Sequence, residues 1–175
     1  MQEANLHWRY LDGEIIMPWY TKPALEWLKQ QDTSTWKVFE YGCGYSTIWW
    51  RLNCQEVNSI DDNNIWAKAI GADHTEDKLF YINYVGVLGY RDHARTTPQG
   101  YYDCIIIDGE YRDSCTEFCL PYLKPGGYLI IDNYEQPSVG YDYTKTNELL
   151  KGWEKQVFKQ HNHSDWQTAI FTKPL

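Results

Sequence analysis

Short apolar runs alternate along the chain with segments in which apolar residues recur at helical spacing. The runs that predict buried strands lie at 36–40, 56–60, 102–107 and 128–131. The segments with helical spacing lie between and beside them, at 21–30, 46–52, 63–70, 115–123 and 144–153. An apolar run without polar alternation is typical of a strand that is covered on both faces. The pattern therefore predicts an α/β fold, in which a mostly parallel sheet carries helices on both faces.

Three further segments extend the predicted sheet. Residues 78–87 have strand-like spacing, and the tail predicts two strands at 154–158 and 166–172. The polar loop between the tail strands contains His161 and His163. We interpret it as a hairpin loop rather than as a pair of metal ligands.

Length and composition are those of one globular domain. The chain has 175 residues, of which 43% are hydrophobic and 17% aromatic, enough to bury a core. Its mean hydropathy is −0.62, and its longest apolar runs, of about five residues, are far shorter than the ~20 that a spanning helix needs. The first residues show no basic region followed by an apolar one. We therefore expect a cytoplasmic protein without a membrane partner.

The formal net charge of −8 argues against a nucleic-acid partner. A protein that binds phosphate backbones normally presents a basic patch, whereas the lysines and arginines are scattered here. The charge is compatible with small uncharged or cationic substrates and with protein partners.

The five cysteines form no CxxC pair; they are Cys43, Cys54, Cys104, Cys115 and Cys119. We expect small buried hydrophobic side chains in a reducing compartment. A metal or redox role is the alternative.

Acidic residues stand at the ends of four apolar runs: Glu40, Asp61, Asp108 and Asp132. In open α/β sheets, ligands bind beyond the carboxyl ends of the strands, where the strand order reverses. These four residues are therefore predicted to lie at one functional edge.

A glycine loop follows the first of these strands: Glu40-Tyr41-Gly42-Cys43-Gly44-Tyr45-Ser46-Thr47. Glycine carries no Cβ, so the backbone can approach a ligand, and the helix that follows offers free N–H groups. Asp61 lies 21 residues after Glu40, where a carboxylate commonly accepts ribose hydroxyls. The loop is therefore predicted to bind a cofactor that contains a nucleoside.

Two departures from the dinucleotide fingerprint bear on which cofactor this is. Thr47 stands where the third glycine is required, and Glu40 would repel a pyrophosphate. S-adenosylmethionine carries a sulfonium, an ammonium and a ribose diol, and it fits an acidic loop better. The pattern favours S-adenosylmethionine over NAD.

Four motifs in order resemble those of class I S-adenosylmethionine-dependent methyltransferases. They lie at 40–47, 57–66, 102–109 and 123–133. The two tail strands are similar to the antiparallel end of the sheet in that family. The resemblance covers roughly residues 15–173.

The resemblance implies a doubly wound, mostly parallel seven-stranded sheet of order 3-2-1-4-5-7-6, with an antiparallel last strand. It also implies a single methyltransferase-like domain over 1–175. Within it, 1–35 would be an N-terminal segment and helix, 36–135 the cofactor-binding core, and 136–175 a C-terminal helix and antiparallel hairpin.

The resemblance also implies a set of cofactor-binding residues: Glu40, Gly42, Gly44, Tyr45, Ser46, Thr47, Asp61, Asp62 and Asp108. Glu40 or its surroundings would face the methionine part, and Ser46 and Thr47 would bind its carboxylate. Asp61 would bind the ribose. Asp62 or Asn63 would lie near the adenine, with Ile60 packed on it.

Three residues are candidates for catalysis: Asp108, Tyr111 and Arg112. Asp108 would lie nearest the reactive centre and is the first candidate for a general base, with Tyr111 and His93 after it. His93 has an alternative interpretation as an ordinary loop residue.

A partial similarity to the catechol O-methyltransferase group raises the possibility of magnesium. That group holds the ion on two aspartates and an asparagine, which correspond to Asp108, Asp132 and Asn133. Such an ion would bind oxygen ligands and activate a substrate hydroxyl. However, Tyr111 replaces a basic lysine of the group, and its long N-terminal helices are absent here. The alternative is that Asp108 contacts cofactor or substrate, while Asp132 and Asn133 shape the strand end.

Several aromatic residues have two interpretations. Pro18, Trp19 and Tyr20 would cover the cofactor or the substrate entrance, or else pack the first helix. We expect Trp49 and Trp50 in the core. Two residues that follow the predicted strand at 128–131, Tyr134 and Glu135, would line the acceptor site or form a surface loop.

The sequence thus predicts methyl transfer from S-adenosylmethionine to oxygen or nitrogen of a small-molecule acceptor. The alternative is a non-catalytic S-adenosylmethionine-binding module, and an NAD-dependent oxidoreductase is a third, disfavoured possibility. A homodimer is a further hypothesis, based on the small size of the chain and its surplus of aromatic residues.

Overall fold

The computed structural model describes residues 9–11, 14–72, 80–84, 87–135, 142–161 and 165–175. A small hairpin, β1 (Arg9–Leu11) and β2 (Glu14–Ile16), precedes the main sheet. The strands of the main sheet are β3 (Lys37–Tyr41), β4 (Glu56–Asp61), β5 (Phe80–Tyr84), β6 (Tyr102–Ile107), β7 (Leu123–Ile131), β8 (Glu154–Lys159) and β9 (Gln167–Thr172). The helices are α1 (Lys22–Leu28), α2 (Tyr45–Asn53), α3 (Asn64–Ala72), α4 (Val87–Tyr90), α5 (Arg112–Cys119) and α6 (Thr144–Leu149). Short 3-10 turns occupy His93–Thr96 and Leu120–Tyr122.

The main sheet has seven strands in the order β5-β4-β3-β6-β7-β9-β8. Neighbours from β5 to β7 run parallel, and β9 runs antiparallel to both β7 and β8. When β3 is counted as the first strand, this is the predicted order 3-2-1-4-5-7-6. The predicted fold class is confirmed.

Two apolar layers cover the sheet because alternate residues of each strand face opposite sides. In β6, Ile105 and Ile107 belong to the layer that contains α5, and Cys104 and Ile106 belong to the layer that contains α1 and α2. All four side chains are fully buried. Complete burial of such a side chain contributes about 1.5–3 kcal/mol. The predicted helices on both faces are therefore present.

Few of the described aromatic side chains are exposed. Trp49 and Trp50 are buried in the layer beside α1, which confirms the core prediction. The exposed large apolar side chains of the described residues include only two aromatic ones, Trp19 and Tyr111. The other aromatic residues whose burial the structure describes are thus buried or half-buried, and the homodimer stays a prediction.

The cysteines of the sequence are all free. Four are buried, as expected, and Cys54 is half-buried. Among the residues that the structure describes, no group of three or more His, Cys, Asp or Glu side chains could hold a metal ion. Of the polar tail loop, residues 162–164 lie outside the described residues.

Three predicted elements have wrong bounds. The helix predicted at 115–123 is α5, which begins and ends earlier, and the helix predicted at 144–153 ends at Leu149. Strand β7 begins at Leu123, well before the predicted 128. Across the described helices, none is long and apolar enough to cross a membrane.

Candidate functional site

A cavity of about 440 Å³ opens at the carboxyl ends of β3, β4, β6 and β7. The strand order reverses between β3 and β6, which is where ligands bind in sheets of this type. Nine residues of the predicted cofactor-binding, catalytic and metal-binding sets line the cavity: Gly42, Gly44, Tyr45, Ser46, Asp61, Asp62, Asp108, Arg112 and Asn133. The sheet thus brings together residues that are up to 91 positions apart in the chain, from Gly42 to Asn133.

Two glycines, Gly42 and Gly109, lie where the ends of β3 and β6 come close together. Gly42 has a φ of +90°, and a Cβ on it would lie 2.7 Å from the backbone nitrogen of Gly109. A Cβ on Gly109 would lie 2.0 Å from the hydroxyl oxygen of Tyr90. The two strand ends can therefore approach only because both residues lack a side chain.

Gly44 differs from Gly42 in its surroundings. Its backbone is extended, with a φ of −178°, and a Cβ on it would meet no atom within 4 Å. Neither conformation nor packing within the chain requires glycine here. The open space belongs to the cavity wall at the start of α2. It is a cradle that a side chain would fill and a ligand can enter.

Glu40 lies beneath the glycine loop and is fully buried. Its carboxyl group accepts hydrogen bonds from the hydroxyls of Ser46 and Thr47, and from Ser59 at 2.9 Å. The Thr47 hydroxyl oxygen also accepts the N–H of Gly44 at 2.8 Å. Burial raises the pKa of Glu40 to about 7, although the three hydroxyls lower it. Glu40 thus holds the loop in shape from below.

This position corrects two predicted contacts. Glu40 and Thr47 are absent from the described lining of the cavity, and their side chains support the loop instead of facing a ligand. Ser46 does both, because it lines the cavity and donates to Glu40. Ile60 is also removed from the predicted adenine site, since it is buried in the core.

Asp61 connects two loops at the cavity wall. Its carboxylate accepts the N–H of Cys43 at 3.0 Å and the N–H of Asn63 at 2.8 Å. Carboxylate oxygens can each accept more than one hydrogen bond. Asp61 can therefore hold both loops and still accept ribose hydroxyls. Asp62 and Asn63, which the resemblance places near the adenine, line the wall next to it.

Arg112 joins the ends of β6 and β7 from the first turn of α5. The residue is only 5% exposed. It donates to the carbonyl oxygen of Gly109 at 2.8 Å and to that of Asp132. One terminal nitrogen also donates to Asp108 Oδ1 at 3.3 Å and to Asn133 Oδ1 at 3.4 Å.

Asp108 reaches the cavity wall with a side chain that is 22% exposed. Burial raises the pKa of its carboxyl to about 7, although the nearby Arg112 guanidinium lowers it. A carboxyl with a pKa near neutrality is well suited to exchange protons with a bound molecule.

Asp132 faces the other way. Its carboxylate accepts the hydroxyl of Thr168 at 2.7 Å and the indole N–H of Trp166 at 3.4 Å. Thr168 in turn accepts the backbone N–H of Thr21 at 3.0 Å, which ties the N-terminal segment to β9. Burial and the carboxylate of Asp108 raise the pKa of Asp132 to about 8.

The three candidate metal ligands do not converge. Asp108 and Asn133 both contact the Arg112 guanidinium, whereas the carboxylate of Asp132 points to β9. The residues present therefore do not fit a magnesium ion held by this trio. Their arrangement agrees with the alternative interpretation, in which Asp132 and Asn133 shape the strand end.

Two non-glycine residues with positive φ flank the cavity. Tyr111 has a φ of 53° and Asn133 a φ of 47°. The left-handed region is strained for tyrosine, and such strain often accumulates at functional sites. Tyr111 is 44% exposed, packs edge-on against Tyr90 at 6.1 Å and is absent from the described cavity lining. In this arrangement its ring supports Tyr90 rather than reaching the predicted reactive centre.

The entrance of the cavity is aromatic. Trp19 is 71% exposed and meets the ring of Tyr45 edge-on at 5.9 Å. Its neighbours Pro18 and Tyr20 are buried, and the hydroxyl of Tyr20 accepts the indole N–H of Trp50 at 3.3 Å. Tyr20 therefore packs with α1, as one interpretation has it, whereas Trp19 lines the cavity, where its predicted cover of a ligand stays a prediction.

Other predicted residues take structural positions. His93 is half-buried beside the ring of Phe39, and burial lowers its pKa. Glu135 is buried and accepts the N–H of Gln167 at 2.6 Å, while Tyr134 packs on Phe171. His93, Tyr134 and Glu135 are all absent from the described cavity lining.

Sequence reasoning missed four lining residues: Cys43, Tyr90, Gly109 and Glu110. Cys43 lies inside the predicted loop, and Gly109 and Glu110 directly follow Asp108, so their proximity was a usable signal. Tyr90 stands outside the four motifs and the strand ends, and no pattern marked it.

Comparison with known proteins gives a match only through structure. No family model and no curated protein matches the sequence. The fibrillarin of Aeropyrum pernix, solved with natively bound S-adenosyl-L-methionine, has a TM-score of 0.66 at 11% identity, over 98% of this chain and 84% of its own. An O-methyltransferase from Bacillus cereus, in complex with S-adenosylhomocysteine, has a TM-score of 0.64 at 18% identity, over 90% of this chain and 84% of its own.

A third solved structure belongs to an N-methyltransferase. NodS from Bradyrhizobium japonicum has a TM-score of 0.63 at 14% identity, over 87% of this chain and 94% of its own. Identities this low establish the fold alone. The chain has the fold of class I S-adenosylmethionine-dependent methyltransferases, and its cavity lies at the switch point of that fold.

Proposed function

We propose that the protein transfers a methyl group from S-adenosylmethionine to oxygen or nitrogen of a small molecule. The observation that carries this proposal is the single cavity wall shared by the glycine loop, Asp61 and Asp108. The order of the sheet supports it, as do two structural neighbours that were solved with bound S-adenosylmethionine or S-adenosylhomocysteine.

The cofactor half of the cavity is the glycine-loop side. The vacant space at Gly44 would receive the amino-acid part, next to the first N–H groups of α2. Asp61 would accept the ribose hydroxyls, with Asp62 and Asn63 beside the adenine. When bound, S-adenosylmethionine supplies a methyl group that is activated by its sulfonium sulfur.

The acceptor half is the side of β6 and β7. Asp108 would take the proton that an acceptor hydroxyl or amine loses as its new bond to carbon forms. Asn133 and Trp19 lie at the same cavity and would orient the acceptor. Acidic residues outnumber Arg112 in the lining, so the cavity favours neutral or cationic acceptors over anionic ones.

A non-catalytic S-adenosylmethionine-binding module is the second candidate. The ion pair between Arg112 and Asp108 favours it, because a carboxylate that is engaged by a guanidinium is a weaker base. In that case the cofactor half would be used and the acceptor half would be inert.

Calorimetric titration with S-adenosylhomocysteine tests the cofactor half. We expect binding to the wild type and a loss of about 1–3 kcal/mol in Asp61→Ala, the scale of lost hydrogen bonds to a charged group. Asp32→Ala is the matched control, since Asp32 is exposed and outside the described lining. An Asp61→Ala variant that binds as tightly as the control would contradict the ribose assignment. Tighter binding of NAD would favour the oxidoreductase instead.

Transfer of labelled methyl groups to panels of amines and hydroxyl compounds separates the two candidates. A product that appears with the wild type and diminishes in Asp108→Asn supports the methyltransferase. Tight binding of S-adenosylhomocysteine without any product across both panels supports the binding module.

A further inference from the structure

We propose that the guanidinium of Arg112 takes the place of a divalent cation at the ends of β6 and β7. The inference rests on the proposed function in one respect, namely that this edge of the sheet is the methyl-transfer site. It adds a positioning role for Arg112 and makes that site independent of metal.

Four oxygen atoms from two separate strand ends surround this guanidinium. They are the carbonyl oxygens of Gly109 and Asp132 and the side-chain oxygens of Asp108 and Asn133. Carboxylate, amide and carbonyl oxygens are the donors that hard divalent cations prefer. The strand ends thus form an oxygen-rich site for a cation, and a side chain fills it.

The guanidinium is fixed in this position. Arg112 is 5% exposed and stands in the first turn of α5, directly after the left-handed turn at Tyr111. Arginine stays charged at every pH at which the protein is folded. A divalent ion in the same volume would meet this positive charge at short range and low dielectric, where repulsion is strong.

The second carboxylate that a metal would use is turned away. Asp132 contributes only its backbone carbonyl oxygen to this group, because Thr168 and Trp166 hold its carboxylate against β9. Arg112 and the turned carboxylate therefore act together against metal binding. The hydrogen bond from Arg112 also orients the carboxylate of Asp108 at the cavity wall.

Binding of Mn²⁺, followed by the electron paramagnetic resonance signal of the free ion, tests the proposal directly. We expect the wild type to bind no Mn²⁺ at this position. The signal of the free ion should therefore be the same with the wild type as with Asp108→Asn. Arg112→Ala opens the oxygen site and is expected to gain one Mn²⁺ per chain, at an affinity at least tenfold above that of the wild type. A second change, Asp108→Asn, should remove the gained site.

Two further variants show whether the charge of residue 112 decides the result. Arg112→Lys keeps a cation and is expected to bind no Mn²⁺. Arg95→Ala removes an exposed arginine that pairs with Asp92, and it should behave as the wild type does. A role of Arg112 in folding alone would not separate the lysine and alanine variants in this way.

Three results would overturn the proposal. They are one Mn²⁺ bound by the wild type and lost in Asp108→Asn, a folded Arg112→Ala without Mn²⁺, and equal gains in the lysine and alanine variants. If the alanine variant does not fold, the wild type and the lysine variant still decide between metal and guanidinium. Binding of S-adenosylhomocysteine is measured in Mg²⁺ and in EDTA alongside, and we expect equal affinities. Failure to bind S-adenosylhomocysteine at all would count against the proposed function and leave the Mn²⁺ result to be judged on its own.

Discussion

Charged side chains around the cavity are held by groups of the chain itself. Glu40 is buried under the glycine loop among three hydroxyls, and Arg112 is buried among four oxygens. A buried charge needs such partners, because its desolvation would otherwise be too costly. These residues shape the walls of the cavity, while Asp61 and Asp108 stand on its surface.

The glycines of the loop are expected to respond differently to alanine. Gly42→Ala forces a Cβ against backbone atoms at positive φ, so we expect a loss of about 2–4 kcal/mol in the free energy of unfolding. Gly44→Ala meets open space in an extended conformation and should change stability by less than about 1 kcal/mol. Its methyl group enters the cofactor cradle, however, and should weaken S-adenosylhomocysteine binding.

Chemical denaturation and calorimetric titration of both variants check this pair. An unstable Gly44→Ala would mean that the chain itself needs glycine there. Unchanged affinity in a stable Gly44→Ala would place the ligand elsewhere.

At the scale of elements, the entry into α5 depends on a strained residue. Tyr111 takes a left-handed conformation, which costs an L-residue about 1–2 kcal/mol and costs glycine almost nothing. Both Tyr111→Gly and Tyr111→Ala remove the ring that packs on Tyr90. We therefore expect the glycine variant to be the more stable of the two by about 1 kcal/mol.

Denaturant titration of the two variants measures that difference. Alanine is more favourable than glycine within a regular helix. If Tyr111→Ala proved more stable than Tyr111→Gly, residue 111 would therefore be unstrained.

The central strands were predictable because their apolar runs are continuous. Strand β6 is buried between β3 and β7, and burial on both faces leaves no polar position in its second half. The start of β7 was not predictable, because its Lys124-Pro125-Gly126-Gly127 stretch has the composition of a turn. A register shift between Tyr102 and Cys104 accommodates those residues within the ladder. Local composition cannot show such a shift, since it arises from pairing with another strand.

The site itself was predictable as a set of strand ends and not as a set of contacts. The positions of Asp61 and Asp108 follow from where the apolar runs stop. The direction of a side chain at such an end depends on neighbours far along the chain, as Asp132 shows by its contact with Thr168. For the same reason, the role of Glu40 as a support and that of Arg112 as a fixed cation became visible only in three dimensions.

At the scale of the whole molecule, three carboxyl groups that are wholly or largely shielded from water make stability depend on pH in an unusual direction. Burial raises the pKa of Glu40 and Asp108 to about 7 and that of Asp132 to about 8. Between their ordinary values near 4 and these values, the native state binds more protons than the unfolded state does. These groups therefore lower the free energy of unfolding as pH rises from about 4.5 to 8.

Glu40→Gln is expected to reduce this dependence. The variant should gain stability relative to the wild type on going from pH 5 to pH 8, by up to about 3 kcal/mol, because it has no carboxyl to ionise. Urea denaturation at both pH values measures the gain. Glu26→Gln, at an exposed position on α1, should follow the wild type. A Glu40→Gln variant that also follows the wild type would show that Glu40 titrates normally.

The hydrogen bond from Thr21 to Thr168 joins residues that are 147 positions apart. It secures the segment that carries Trp19, and with it the entrance of the cavity, to the last strand of the sheet. During synthesis the glycine loop and its supports leave the ribosome long before that strand does. We therefore expect a growing chain to form the glycine loop and its supports first. The entrance of the cavity would be fixed only after the final strand has been added.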